Sequence, residues 1–214
     1  MQIAIIAFVA FVIAALSGHL LIPALRKLHF GQSILEIGPN WHKEKEGTPT
    51  MGGIMFIIGI LAASCLAFFF MAEAPVTEKI KYGSGLVMAL GYGLLGFIDD
   101  YTKIAKKQNE GLTAKQKLIG QVLLAIMFLV GLHISGTLST TLIIPFIGQL
   151  DIGFLYYPLA VFIIVGASNA VNLTDGIDGL AGSVTLVITF FFASVGFKFS
   201  NTPMLTLTGA VSGG

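Results

Sequence analysis

Charge is scarce in this sequence. Asp, Glu, Lys and Arg make up only 11% of its 214 residues, where a soluble domain usually carries about a quarter. With a mean hydropathy of +0.89, that deficit excludes a molecule whose whole surface meets water. Cysteine is nearly missing too: Cys65 stands alone, so there is no disulfide framework and no thiolate metal site. It lies in an apolar run and reads as a small buried hydrophobe. The net charge is +1 and the Lys and Arg residues form no continuous stripe, which gives no reason to expect a nucleic-acid partner. No basic leader precedes the first apolar run, which starts at Ile3. That run is therefore expected to stay as a first span, not to be cleaved as a signal peptide. Repeats and low-complexity tracts are also absent.

What is present is a series of apolar blocks without a polar face. A helix needs about 20 such residues to cross the hydrocarbon core. Stretches 2–23, 53–72, 80–98, 118–136, 154–170 and 180–197 meet or approach that length, and another begins near Pro203. In lipid these must be helices, because no water is there to satisfy a free backbone donor. The expected fold is all-α: one integral membrane domain over 1–214, a polytopic helical bundle of six full spans plus the start of a seventh. The connector around Pro145 and Gly148 reads as a short hairpin. Segments 24–52 and 99–117 hold nine Lys and Arg against three on the opposite side. Positive charge marks the cytoplasmic face, so the N-terminus is expected outside and the 171–179 connector inside.

Three segments of that inner face carry chemistry. Lys43 and Lys45 lead into Gly47-Thr48-Pro49-Thr50-Met51-Gly52-Gly53 at the start of the second span. Glycines and hydroxyls at a helix start suit an anion, although a plain Pro/Gly turn has the same look. Asp99-Asp100 closes the third span. Adjacent carboxylates there repel one another and lose solvation, and acids sit badly at a helix C-terminus. A divalent cation would relieve both, and oxygen-only ligands suit Mg²⁺. Lys115 and Lys117 follow, as ordinary positive flanks or as phosphate ligands. The third segment, Asn169-Ala170-Val171-Asn172-Leu173-Thr174-Asp175-Gly176-Ile177-Asp178-Gly179-Leu180, is too rich in acids, amides and glycines for a bare turn. Asp175 and Asp178 would share a face of a helical turn. By contrast, Gly91-Tyr92-Gly93-Leu94-Leu95-Gly96 fits the dinucleotide fingerprint only as a string: it lies in a span with no strand before it, and small-residue packing explains its glycines better. His19 and His133 read as packing or interfacial residues, and His29 and His42 as loop residues. Acids and lysines on one membrane face fit a Mg²⁺-bound polyanion and phosphoryl transfer.

The Gly47–Gly53 string, Asp99-Asp100 and Asn172-Leu173-Thr174-Asp175-Gly176-Ile177-Asp178-Gly179-Leu180 together resemble the phospho-N-acetylmuramoyl-pentapeptide transferases. These belong to the polyprenyl-phosphate N-acetylhexosamine-1-phosphate transferase superfamily. The resemblance runs along essentially the whole chain. It implies a bacterial plasma-membrane enzyme with its active site on the cytoplasmic face. That enzyme moves phospho-MurNAc-pentapeptide from UDP-MurNAc-pentapeptide to undecaprenyl phosphate, giving lipid I and UMP with Mg²⁺. Carried over by position, Asp99 would be the catalytic carboxylate, most simply the base for the lipid phosphate, with a carboxylate nucleophile as the alternative. Asp100 would assist at the metal or the lipid phosphate, and Lys117 would hold the diphosphate. Lys45, Thr50, Asn169, Asn172, Asp175 and Asp178 would line the substrate pocket. Asp100 and Asp175 would ligate the metal, joined by a ligand past Gly214. The resemblance further implies a homodimer among membrane lipids. It also implies about ten spans, so this chain is expected to be an N-terminal portion that is inactive by itself. Rival readings are a GlcNAc-1-phosphate transferase, a transporter using the acids as an ion path, and a structural or binding fragment.

Overall fold

The computed structural model describes residues 2–27, 51–106, 108, 110–144, 146–174 and 179–198. Helices dominate it: α1 (Gln2–Lys27), α2 (Gly53–Phe70), α3 (Val76–Lys106), α4 (Ala114–Ile134), α5 (Tyr156–Thr174) and α6 (Leu180–Lys198). A hairpin of β1 (Thr141–Ile144) and β2 (Gly148–Asp151) joins α4 to α5, with Thr141 paired to Asp151 and Ile144 to Gly148. The expected hairpin is therefore there, as a small β ribbon in an otherwise helical chain. Phe146, at φ 68°, turns its tip.

The exterior of the bundle is apolar. Phe8, Leu20, Phe162 and Phe190 are each more than two thirds exposed, a surface that water would not tolerate over such an area. Four helices are long and apolar enough to cross a membrane: α1, α2, α4, and α5 with the turn before it. Helix α3 is longer, at 31 residues, but glycines and tyrosines dilute its apolar middle. Helix α6 is apolar over Leu180–Gly196. The molecule is thus a helical membrane protein. Cys65 departs from expectation, since it is exposed on the outer face of α2, among the side chains that would face lipid.

Small residues decide how the helices meet. Between helices in lipid the hydrophobic effect contributes little, so close backbone approach and polar contacts hold them together. On α1, Ile6, Ala10, Ala14 and Gly18 are buried at four-residue steps. Gly59, Ala63 and Ala67 do the same on α2. At the crossing, a Cβ on Gly59 would come within 2.9 Å of the Ala10 carbonyl oxygen, so any larger residue would force the two helices apart.

Helices α3 and α4 form an antiparallel pair keyed by glycine and leucine. Gly91 receives Leu124, Gly120 receives Leu95, and Gly131 lies against Ser84. One further turn of that register carries Asp99 to a position across from Lys117. Helices α4 and α5 run antiparallel too, linked by Gln121 with Asn169 near one end and His133 with Tyr157 near the other.

Candidate active site

At the end of the bundle where α3 stops and α4 starts, the three registers converge. Tyr92, Gly96 and Asp99 lie along one face of α3, Lys117 and Gln121 along one face of α4, and Asn169 and Asn172 along one face of α5. Together with Leu95 and Ser168 they line a cleft of about 140 Å³.

Asp99 is the centre of the cleft, with only 6% of the residue exposed. Its Oδ1 accepts from the Leu112 backbone N–H at 2.8 Å and pairs with Lys117 Nζ at 3.1 Å. Its Oδ2 pairs with Lys103 Nζ at 3.0 Å. Asp99 lies past the apolar stretch of α3. There burial is the strongest single influence and raises its pKa. Lys103, the Leu112 N–H and Lys117 together outweigh it and hold the carboxyl below the ordinary carboxylate value. Gly111 closes over this group: a Cβ there would fall 2.7 Å from the Asp99 backbone oxygen and overlap the carboxylate.

Asp100 points elsewhere. It is a third exposed, and its Oδ1 pairs with Lys103 at 2.9 Å. Lys103 therefore serves both acids. Burial lowers its pKa, but its bonds to Asp100 and Asp99 win and raise it. Two adjacent acids near the end of a helix were expected to be mismatched there. The structure answers part of that: α3 continues to Lys106, and Lys103, one turn on, neutralises both.

Lys117 is positioned by the start of α4. Thr113 caps the helix, its hydroxyl accepting from Gln116 N–H while the Gln116 side chain accepts from Thr113 N–H at 3.0 Å. This reciprocal box satisfies two end donors and fixes Lys117 on the first turn. Asn169 and Asn172 belong to the last turns of α5. Lys45, Thr50, Asp175 and Asp178 lie outside the described residues.

Asp99, Lys117, Asn169 and Asn172 are thus brought together, and Asp100 stands beside them. Lys103, Tyr92, Gly111, Gln121 and Ser168 were not singled out as site residues in the sequence. Helical spacing held the signal for two of them: Tyr92 is two turns before Asp99, and Gln121 is one turn after Lys117. Tyr92 also donates from its hydroxyl to the Gln121 backbone oxygen at 3.2 Å, adding a polar tie between α3 and α4 to the packing of Gly91 on Leu124 and Gly93 on Ile57.

Among the described residues no three acidic, histidine or cysteine side chains gather into a metal cage. Asp99 is a poor metal ligand in this arrangement, because both its oxygens already face ammonium groups. Asp100 fits better, since its Oδ2 carries no ion pair among the described residues. Mg²⁺ is commonly held by one or two carboxylates plus substrate phosphates and waters, and Asp100 meets that modest requirement.

The fold and site define a membrane-embedded helical bundle that carries, at one end, a cleft pairing a buried acid with lysines. The chain belongs to glycosyl transferase family 4, whose pattern matches residues 82–214. Residues 45–57 also match signature 1 of phospho-N-acetylmuramoyl-pentapeptide-transferase. Curated proteins of that name are similar to it. The one from Halalkalibacterium halodurans is 42% identical over 205 residues, covering 95% of this chain and 62% of the relative. Those from Desulfitobacterium hafniense and Oceanobacillus iheyensis are 45% and 46% identical, covering 91% and 87% of this chain and 56% of each relative. The chain spans about three fifths of the length of these relatives.

Proposed function

We propose that this chain carries the phosphate-handling face of an enzyme that transfers phospho-MurNAc-pentapeptide from UDP-MurNAc-pentapeptide to undecaprenyl phosphate, releasing UMP and lipid I. The observation that carries the proposal is the buried Asp99 pinned between Lys103 and Lys117 in a cleft also lined by Asn169 and Asn172. The signature match over 45–57 supports this sugar over the GlcNAc-1-phosphate alternative. Asp99 and Asp100 lie past the apolar stretch of α3 and not midway along it, which does not favour an ion path through the membrane.

In the proposed reaction the lysines change partner. An incoming diphosphate offers Lys103 and Lys117 stronger acceptors than a single carboxylate does. As they move to it, Asp99 loses the charges that suppress its basicity and accepts the proton of the lipid phosphate. A lipid-phosphate oxygen then forms the new P–O bond while the diphosphate bridge breaks and UMP leaves. Mg²⁺, held by Asp100, by Asp175 and by substrate oxygens, would neutralise charge on the diphosphate. Lys45, Thr50 and Asp178 would complete the pocket. The same reading places six spans in a single integral domain, the N-terminus outside, the site on the cytoplasmic face and the enzyme as a homodimer.

The test is UMP release by the intact enzyme given UDP-MurNAc-pentapeptide, undecaprenyl phosphate and Mg²⁺, with UDP-GlcNAc offered separately. Asp99→Asn is expected to lower the rate by about 10²-fold or more, the usual scale for a positioned base. An unchanged rate would remove Asp99 from that role.

A further inference from the structure

We infer that Gln121 is a positioning residue that fixes Asn169 as a hydrogen-bond acceptor toward the cleft, so that the substrate group met there is an N–H or O–H and not a phosphate oxygen. The inference rests on the nucleotide-dependent reaction proposed above and names the chemistry of one part of that site.

Hydrogen-bond logic fixes the amide orientations. The Val165 backbone oxygen, one helical turn before Asn169, lies 2.8 Å from one side-chain atom of Asn169. A carbonyl oxygen only accepts, so that atom must be the NH₂ nitrogen. The same nitrogen is 2.8 Å from a Gln121 side-chain atom, which must then be Oε1. Both Asn169 hydrogens are committed by these two contacts. The return contact, from Gln121 Nε2 to Asn169 Oδ1, is long at 3.4 Å and uses at most one of two lone pairs. Toward a ligand, Asn169 is left with acceptor capacity alone.

Gln121 is itself held firmly. It is 7% exposed, and its backbone oxygen receives the Tyr92 hydroxyl. Tyr92, Gln121 and Asn169 all line the cleft. Without the Gln121 oxygen, Asn169 regains an N–H and its amide is free to turn, so the cleft wall loses its fixed polarity.

A purely structural Gln121, tying α4 to α5, makes different predictions. The intact enzyme would be assayed in lipid nanodiscs as the unmodified protein, Gln121→Met and Gln121→Glu. Gln121→Met is expected to raise KM for the UDP-linked substrate, and to weaken UMP binding measured by calorimetry, about tenfold each, with kcat within about twofold. Gln121→Glu keeps an oxygen to accept from Asn169 and is expected to restore most of both. Two UMP analogues each lack one donor, 2′-deoxy-UMP and N3-methyl-UMP. One of them should bind the unmodified enzyme about tenfold more weakly than UMP, and that gap should close in Gln121→Met. Lower melting temperature and kcat at unchanged KM would assign Gln121 a structural role and overturn the inference. So would UMP-like affinity for both analogues, or no UMP binding by the unmodified enzyme. If UMP binds but no UDP-linked substrate turns over, the transferase proposal falls, and the UMP affinities still judge Gln121: equal values in Gln121→Met overturn it.

Discussion

Asp99 keeps only 9% of its side chain exposed, yet three donors around it more than offset the cost of burying a charge. Its stability therefore has a direction in pH. A carboxyl whose folded pKa lies below its unfolded value stabilises the fold fully above the unfolded value, and that contribution fades as pH falls through the folded value. Asp99 follows this rule, with its contribution present at neutral pH and lost on acidification from about its ordinary 3.8 downward. Asp99→Asn removes the dependence. The variant is expected to melt at lower temperature than the parent at pH 7, with the gap narrowing as both are taken toward pH 3. Melting curves in detergent at a series of pH values check this, and a gap that widened in acid would contradict the ion pairs described. Gly111 belongs to the same account, since only a residue without a side chain leaves room for that carboxylate.

Helix α4 aligns the site through its first turn. Thr113→Ala removes a cap of the kind worth about 1 kcal/mol and lets the turn carrying Lys117 fray. A fall in stability of that order is expected, together with a several-fold loss of UMP release, while Thr113→Ser retains both. Thermal unfolding and turnover of the two variants provide the check. Helices were the most legible feature of the sequence, because lipid permits no other backbone for long apolar runs: the expected stretches at 53–72 and 180–197 match α2 and α6 within two residues at each end. Their ends were less legible. Asp99 and Asp100 read as closing a span, whereas α3 runs on to Lys106, since a helix leaving the hydrocarbon need not stop there. Asp99 and Lys117 were both legible as chemical residues, but not as a pair. Their meeting depends on which glycine receives which leucine between α3 and α4, a register set by packing between segments distant in sequence. Gln121 was missed for a similar reason, since a single amide in an apolar run has no meaning until Asn169 lies opposite.

At the scale of the molecule, the described residues separate what holds the bundle from what would act on a substrate. Small-residue seams and interhelical amides hold α1 to α2 and α4 to α5, and no described contact between helices requires a metal. Asp100, the best-placed acid for Mg²⁺, sits a third exposed beside the cleft with one lysine partner. One carboxylate alone binds Mg²⁺ weakly, and substrate phosphates must supply much of the remaining ligation. A metal held in that way joins the enzyme with its substrate and adds little to folding. Chelation is therefore expected to abolish UMP release while moving the melting temperature of the substrate-free enzyme by no more than about a degree, because a weakly bound ligand shifts the folding equilibrium very little. Adding Mg²⁺ back should restore turnover. Ca²⁺ should do so poorly, since its longer bonds and looser geometry position a diphosphate less well. Parallel melting and turnover measurements, with chelator and then with each ion, decide the matter. A large drop in melting temperature on chelation would mean that the metal is built into the fold, and Asp100 would then be part of a closed cage instead of an open, substrate-completed site.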